Sequence, residues 1–192
     1  MTRIALPLVI ITGVRPPRDD HRDVGSFGRL VRGDRDALAD LYDAHAGALF
    51  RHGLALTRRP FEAEDLVQAV FLKLATTGAP LLAVRNPANY MHRMLHAAWI
   101  DSQRRPAVSH ESAVDADDLR HVAGAATDQD TAIDVARALA ELPAAQREIM
   151  QLHLTEGFSF REAGRITGVS MFTAASRYRV ALERLRQLMG KR

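Results

Sequence analysis

The chain has 192 residues, and its 47% apolar and 26% charged residues are proportions typical of a folded globular protein rather than a disordered one. The absence of cysteine excludes disulfides, thiolate metal sites and thiol nucleophiles, and it fits the reducing cytoplasm. The formal net charge of +3 is small, but the sequence is weakly basic up to residue 105, acidic from 106 to 134 and basic again from 135 onward.

Residues 1–23 predict a poorly ordered N-terminal extension. Their apolar run from Ile4 to Ile11 is interrupted by Pro7 and is far shorter than the roughly 20 residues that cross a bilayer. We therefore expect no transmembrane segment. The residues after Ile11 offer only a weak version of a signal-peptide cleavage site, which is the alternative interpretation.

Residues 24–105 predict a helical bundle, because apolar side chains recur at helical spacing and no alternating run typical of a strand is present. A long helix is expected over residues 36–58, and Pro60 ends it. A second helix is expected over residues 61–75, with acidic side chains in its first turns, where the helix dipole favours negative charge.

A third helix begins with Asn86 as its N-cap and Pro87 at its first position, and it extends to residue 105. Residues 106–130 are rich in Ala, Ser and Asp with little periodicity, which is the composition of a flexible acidic linker. A second helical domain is expected over residues 131–192. The fold class is therefore all-α, with two small helical domains joined by the linker.

Short-range signals near the C-terminus predict a helix-turn-helix. Ser159 and Glu162 have the spacing of a capping box, and Gly168 supplies a left-handed stop. Ser170 then caps a last helix that extends to about Met189. Two helices joined by a tight glycine turn are typical of DNA-binding helix-turn-helix domains.

The last helix has an apolar side and a basic side. Its apolar stripe consists of Ala174, Tyr178, Ala181, Leu185 and Leu188, whereas arginines dominate the remaining surface. Such a helix can enter a major groove with its first turns at base edges while its arginines neutralise phosphates. An ordinary amphipathic helix with a solvated charged face is the alternative on charge alone.

Two stretches carry a resemblance to a known family. Residues 63–74, AEDLVQAVFLKL, are similar to the most regular motif in region 2 of extracytoplasmic-function (ECF) sigma factors. The second stretch, which resembles region 4 in order and spacing, comprises Leu142-Pro143, Gln146-Arg147-Glu148, Glu156-Gly157-Phe158-Ser159, Gly168-Val169-Ser170 and Thr173-Ala174-Ala175-Ser176-Arg177. Members of this family are bacterial transcription initiation factors that give RNA polymerase its promoter specificity and catalyse no reaction.

The resemblance implies contact surfaces rather than a catalytic centre. The region 2 helix would dock on the clamp of the largest polymerase subunit through Asp65, Gln68 and Leu72, which share one helix face. Region 4 would meet the flap of the second-largest subunit. The resemblance implies no cofactor and no metal, a chain that is monomeric when free, and an anti-sigma factor as a partner common in the family.

Residues 87–105 resemble the part of region 2 that captures the melted minus-ten element of the promoter. An unstacked base requires an aromatic or apolar pocket, and the DNA backbone requires cations. The candidate residues are Tyr90, Arg93, His96, Trp99, Ser102, Arg104 and Arg105. Tyr90 stands where the family usually has tryptophan, and Ala97 where it commonly has asparagine. Core packing is the alternative role for Trp99.

By the same resemblance, region 4 would read the duplex minus-thirty-five element. The candidate residues are Ser170, Met171, Phe172, Thr173, Ser176, Arg177 and Arg179. Ala175 stands where the family often has lysine. The acidic linker corresponds to the segment that related factors thread through the polymerase, and a solvated spacer is its alternative.

Three other functions remain open at this point. An enzyme is disfavoured, because His92 and His96 have the spacing of half a metal site but lack the glutamate of a zinc protease motif. A homodimeric helix-turn-helix regulator acting without polymerase would need a palindromic site, and the region 2 motif argues against it. A sigma-like interaction protein that has lost promoter binding would account for Ala97 and Ala175.

Overall fold

The computed structural model describes residues 20–104 and 129–189, and every regular element in these two ranges is a helix. The helices of the first range, which we call the N-terminal bundle, are α1 (Asp20–Val31), α2 (Asp36–Thr57), α3 (Pro60–Thr77) and α4 (Pro87–Arg104), with a 3₁₀ turn at Ala79–Ala83. Those of the second range, the C-terminal bundle, are α5 (Gln129–Ala140), α6 (Ala144–Met150), α7 (Phe160–Thr167) and α8 (Met171–Met189), with a π turn at Gln151–Thr155. The predicted all-α class is confirmed.

The helix ends follow the local signals of the sequence. Asn86 accepts a hydrogen bond from the backbone N–H of Asn89 at 2.7 Å, as expected of the N-cap of α4. The α-helix that follows Pro143 ends at Met150, where it passes into the π turn. Most of the predicted linker, residues 106–130, lies outside the described residues, as do residues 1–19.

Helix α1 is a difference from the sequence-based expectation. It begins at Asp20, inside the extension predicted to be poorly ordered. Gly25 and Gly28 lower the helix propensity of this stretch, so the sequence carries no strong helical signal there. Packing explains the helix instead, because Phe27 is 1% exposed in the core of the N-terminal bundle.

The N-terminal bundle has one apolar core, to which α1, α2, α3 and α4 all contribute. Burying a Leu or Phe side chain stabilises a fold by roughly 1.5–3 kcal/mol, so this core supplies much of the stability of the bundle. Its largest fully buried members are Phe27, Leu41, Leu49, Leu74, Leu81, Met91 and Leu95.

The C-terminal bundle has two smaller apolar clusters that meet at Tyr178. One is built around Ile149, Leu152, Phe158 and Ile166, and the other around Leu142, Met150, Ala181 and Leu185. The buried residues of α8 are among those predicted to form its apolar stripe.

The two bundles pack against each other, through α2 with α6 and through α4 with α7. Ala88, in the first turn of α4, is 1% exposed and belongs to an apolar cluster whose other members all come from the C-terminal bundle. The C-terminal bundle therefore covers one side of α4. Among the helices of residues 20–104 and 129–189, none combines the length and apolar character that crossing a membrane requires.

Candidate nucleic-acid and polymerase interfaces

The turn between α7 and α8 is fixed by caps and by a close backbone approach. Ser159 and Glu162 form a complete capping box at the start of α7. Gly168 ends α7 with φ of 70°, a left-handed conformation that glycine adopts without strain. A Cβ added at Gly164 would lie 2.7 Å from the carbonyl oxygen of Val169, so only glycine lets the two helices approach this closely. This confirms the predicted helix-turn-helix.

The start of α8 presents apolar and polar groups to solvent. Phe172 is 74% exposed and Met171 is 40% exposed, values uncommon for such large apolar side chains. Ser170 caps the helix, because its Oγ accepts from the backbone N–H of Thr173 at 3.0 Å. The outward side is otherwise polar, with Ser176 and Arg179 exposed and Arg177 half-buried.

The opposite side of α8 holds the helix in place. Ala174 and Ala181 are fully buried, and Leu185 is 1% exposed. Tyr178 is half-buried against the stacked rings of His153 and Phe160, with centroid distances of 5.1 and 5.4 Å. Burial raises the pKa of the Tyr178 phenol, so the ring is neutral at physiological pH. Packing on one side thus leaves the predicted DNA-reading side open.

Helix α3 carries a second open surface, which we call the α3 face. Asp65, Gln68 and Leu72 are all exposed, and Leu72 is 71% exposed. Phe61, four residues before Asp65, lies on the same face and is 82% exposed. The sequence reasoning missed Phe61, although its spacing from Asp65 was available as a signal. Two large apolar side chains in water on one helix face are typical of a protein-binding surface.

The candidate minus-ten residues divide between solvent and core. Arg93 and Ser102 are exposed, and the Arg104 side chain is 77% exposed, whereas Arg105 lies outside the described residues. Tyr90 and Trp99 are half-buried against the N-terminal core. This packing agrees with the alternative role for Trp99, which is core packing.

An aromatic and a cation lie together on this part of α4. The guanidinium of Arg93 lies over the Tyr90 ring, 5.5 Å from its centroid. Tyr90 also meets Phe27 of α1 in a T-shaped contact at 6.1 Å. These two contacts hold an aromatic ring and a positive charge together at the bundle surface.

His96 is placed differently from the other candidates. Its Nδ1 donates to Oε1 of Glu148 in α6 at 2.7 Å, and its side chain is only 16% exposed. The same oxygen of Glu148 lies 2.9 Å from Nε2 of His52 in α2. The structure therefore brings His96 into a buried contact with the C-terminal bundle rather than to the exposed surface of α4.

The carboxylate of Glu148 is held in its charged form. Burial alone would raise its pKa, but hydrogen bonds and opposite charge from His52 and His96 outweigh burial and lower it. Arg51 of α2 makes a second ion pair between the bundles, with Glu156 at 2.9 Å. Glu148 and Glu156 are therefore each paired with side chains of the N-terminal bundle.

Arg147 of α6 completes the contact between the bundles. Its guanidinium donates to the carbonyl oxygens of Ala55 and Leu56, which lie at the end of α2, and to that of Leu142. Burial and the neighbouring Arg58 lower the pKa of Arg147 to about 10, so it remains charged at neutral pH.

His92 and His96, which have the sequence spacing of half a metal site, take part in other contacts. His92 and His96 do not converge on one point, because Nδ1 of His92 lies 3.0 Å from Nδ1 of His52 while His96 contacts Glu148. In the part of the chain that the structure describes, no group of three His, Cys, Asp or Glu side chains could hold a metal ion.

Two sequence families match the chain. Sigma-70 region 2 matches residues 41–107, and Sigma-70, region 4 matches residues 132–185. The first match covers most of α2 and all of α3 and α4, and the second covers most of α5, all of α6 and α7 and most of α8, so the α3 face lies in the first match and the outward side of α8 lies in the second.

The similar proteins are sigma factors. The ECF RNA polymerase sigma factor SigM of Mycobacterium tuberculosis is 30% identical over 173 residues, which are 90% of this chain and 87% of SigM. The RNA polymerase sigma factor CarQ of Myxococcus xanthus is 29% identical over 174 residues, covering 85% of this chain and 95% of CarQ.

A solved structure has the same fold. It is the sigma factor RpoE of Bartonella quintana in complex with the anti-sigma factor NepR, with a TM-score of 0.57, 25% identity and coverage of 74% of this chain and 90% of RpoE. With both regions matched and the relationship to SigM extending over most of both proteins, the chain belongs to the ECF RNA polymerase sigma factors.

Proposed function

We propose that the chain acts as an alternative sigma factor, which binds core RNA polymerase and directs it to specific promoters for transcription initiation. The observation that carries the proposal is that regions 2 and 4 occur in one chain while the α3 face and the outward side of α8 are both exposed. A regulator acting without polymerase would not need region 2, so that alternative is not favoured.

Each surface has a separate role in this proposal. Asp65, Gln68 and Leu72 dock on the clamp of the largest polymerase subunit, and Phe61 extends the same contact. Leu72 and Phe61 would bury their apolar area there, which favours association at roughly 25 cal/mol per Å². A carboxylate and an amide beside them would supply hydrogen bonds that fix the orientation.

On α4, the exposed cations Arg93 and Arg104 would neutralise phosphates of the melted minus-ten strand, together with Arg105. The Tyr90 ring would stack on an unpaired base, a contact worth roughly 1–3 kcal/mol. Trp99 and Ser102 are further candidates, and His96 would reach the strand once the C-terminal bundle moves away from α4.

On α8, the outward residues would read the minus-thirty-five duplex. Arg177 and Arg179 would contact phosphates or guanine edges, and Phe172 and Met171 would contact apolar base edges such as the thymine methyl group. The remaining candidates, Ser170, Thr173 and Ser176, are hydroxyl groups at the start of the helix, where backbone phosphates are commonly bound.

The decisive experiment is run-off transcription with purified core polymerase and a library of promoters. The chain should give specific transcripts from a subset of the library, and that subset defines the promoter motif. Failure to bind core polymerase, or the absence of any promoter-dependent transcript, would refute the proposal. A chain that binds polymerase but supports no transcription would instead be the sigma-like interaction protein.

Arginine variants test the α8 assignment. Arg179→Ala should weaken binding to minus-thirty-five duplex by about 1–3 kcal/mol if Arg179 reads a base edge, and Arg177→Ala should weaken it as well. Both should leave binding to core polymerase unchanged. Arg85→Ala, an exposed arginine in the loop before α4, is the matched control. Raising salt should weaken duplex binding in a log-linear way, since phosphate contacts release counterions.

Variants of the α3 face should show the opposite result, with weaker binding to core polymerase and unchanged binding to duplex DNA. Combined Asp65→Ala and Gln68→Ala, or Leu72→Ala alone, should reduce affinity for core polymerase while duplex binding persists. Lys73→Ala, exposed on a different side of α3, serves as control. Unchanged affinity for core polymerase in the double variant would remove the docking assignment.

Further partners follow from the same proposal. RpoE of Bartonella quintana forms a complex with the anti-sigma factor NepR, and we include an anti-sigma factor among the partners proposed for this chain. The flap of the second-largest polymerase subunit is the contact proposed for region 4. We assign no residue a catalytic role, and we place the protein in the cytoplasm with its polymerase.

A further inference from the structure

The contact between the bundles is centred on one buried carboxylate. Oε1 of Glu148 in α6 lies 2.9 Å from Nε2 of His52 in α2 and 2.7 Å from Nδ1 of His96 in α4. The side chains of His52 and Glu148 are 0% and 2% exposed. One residue of the C-terminal bundle therefore joins two helices of the N-terminal bundle, and we call this group, with His92, the Glu148 cluster.

The Glu148 cluster is fully connected. The Nδ1 atoms of His52 and His92 lie 3.0 Å apart, so one of the two rings donates a hydrogen bond to the other. His92 is fixed in turn by the edge of the Phe158 ring, at a centroid distance of 5.1 Å. A buried network of this kind stabilises one arrangement when every member is paired and becomes strongly unfavourable when one member is removed.

Other contacts reinforce the same arrangement without passing through Glu148. The Arg51–Glu156 ion pair and the donation of Arg147 to the last carbonyls of α2 also join the two bundles. Ala88 packs into the apolar cluster of the C-terminal bundle. The closed arrangement, in which the bundles are packed together, is therefore held by both polar and apolar contacts.

Geometry makes the closed arrangement incompatible with simultaneous recognition of both promoter elements. The minus-ten and minus-thirty-five elements are separated by about 25 base pairs, or roughly 85 Å at 3.4 Å per base pair. A compact chain of 192 residues is only about 40 Å across. The bundles must therefore separate before one chain can contact both elements.

We propose that the Glu148 cluster holds the free chain closed and keeps the His96 side of α4 covered, so that the closed chain binds the minus-ten strand more weakly than an opened chain does. This inference rests on the proposed function for the role of α4, but not for the closure itself. In the closed arrangement Ala88, His92 and His96 all face the C-terminal bundle, so this side of α4 is closed to DNA while the Arg93 side stays open.

Fluorescence energy transfer within the full-length chain tests closure directly. The natural chain has no cysteine, so Ala75→Cys in α3 and Gln187→Cys in α8, both at exposed positions, allow two specific labels. Glu148→Ala should lower the ratio of closed to open chain about tenfold or more, seen as a loss of transfer. Glu141→Ala, an exposed glutamate next to α5, should leave the transfer unchanged.

Two further variants keep the test decisive. Glu148→Gln retains the volume and removes the charge, so it carries the test if circular dichroism shows that Glu148→Ala loses helix. Ala88→Trp places a large side chain between the bundles and should open the chain without altering the Glu148 cluster. If Glu148→Ala and Glu148→Gln both fold and both leave the transfer unchanged, the cluster does not hold the chain closed.

Binding of single-stranded minus-ten DNA tests the covering of α4. Opened variants should bind the strand several-fold more tightly than the natural chain, while binding to minus-thirty-five duplex stays the same. If a variant loses energy transfer but does not bind the single strand more tightly, the C-terminal bundle does not cover a DNA-binding side of α4. The energy-transfer measurement uses neither DNA nor polymerase. It therefore tests closure of the chain even if the proposed promoter function proves wrong.

Discussion

Substituting Gly164 by alanine should destabilise the C-terminal bundle by forcing α7 and α8 apart. The added Cβ would lie 2.7 Å from the carbonyl oxygen of Val169, and 3.3 Å from the backbone N of Met171 and the backbone C of Ser170. All three neighbours are backbone atoms, so no side chain can rotate away. Relief requires a shift of the α7–α8 turn by more than half an ångström, and overpacking of this kind costs about 1–3 kcal/mol.

The measurement is urea unfolding followed by circular dichroism, together with binding of minus-thirty-five duplex. We expect Gly164→Ala to lose about 1–3 kcal/mol of stability and to bind the duplex more weakly, because the start of α8 carries the candidate DNA contacts. Binding to core polymerase through the α3 face should persist. Gly25→Ala is the control, since a Cβ at Gly25 meets nothing within 4 Å and should be neutral or stabilise α1 by roughly 0.5–1 kcal/mol. Equal stability of the two variants would refute the close approach of α7 and α8.

Three further outcomes can be measured by urea unfolding. Ser159→Ala removes the capping box of α7 and should cost about 0.5–2 kcal/mol, whereas Ser102→Ala at an exposed position should cost far less; equal losses would contradict the role of the cap. Arg147→Met leaves the carbonyls of Ala55 and Leu56 without their donor and should cost about 1–3 kcal/mol, a loss that no change in ionic strength should restore. The folded chain lowers the pKa of Glu148 from 4.5 through His52 and His96, so the stability that this carboxylate contributes is present above pH 4.5 and is lost as pH falls through the lowered value. Glu148→Gln should abolish that part of the loss of stability in acid. If the stability of the natural chain and of Glu148→Gln depends on pH in the same way, Glu148 does not contribute to it.

Local features of the fold could be predicted because their causes lie within a few residues. The cap at Asn86, the capping box at Ser159 and the left-handed Gly168 each depend on neighbours no more than three or four positions away. The same applies to the buried stripe of α8, which follows from helical periodicity alone. These signals suffice to locate α2, α3, α4, α7 and α8.

What could not be predicted depends on contacts between distant parts of the chain. His52 and Glu148 are 96 residues apart, and nothing near either residue indicates its partner. His96 was therefore assigned to DNA on family pattern, although in the closed arrangement it contacts Glu148. Helix α1 could not be predicted for a related reason. Its glycines lower the local helix propensity, and the helix is stabilised by the tertiary packing of Phe27.

The α3 face also has a consequence for the handling of the purified protein. Phe61 is 82% exposed and Leu72 is 71% exposed, and α3 packs mainly against α2 and α4. Large apolar side chains left in water on one helix face promote self-association as concentration rises. The solubility of the chain should therefore improve when polymerase is co-expressed with it, or when both residues are replaced by polar ones, and concentrated stocks of the unaccompanied protein should be the first to precipitate.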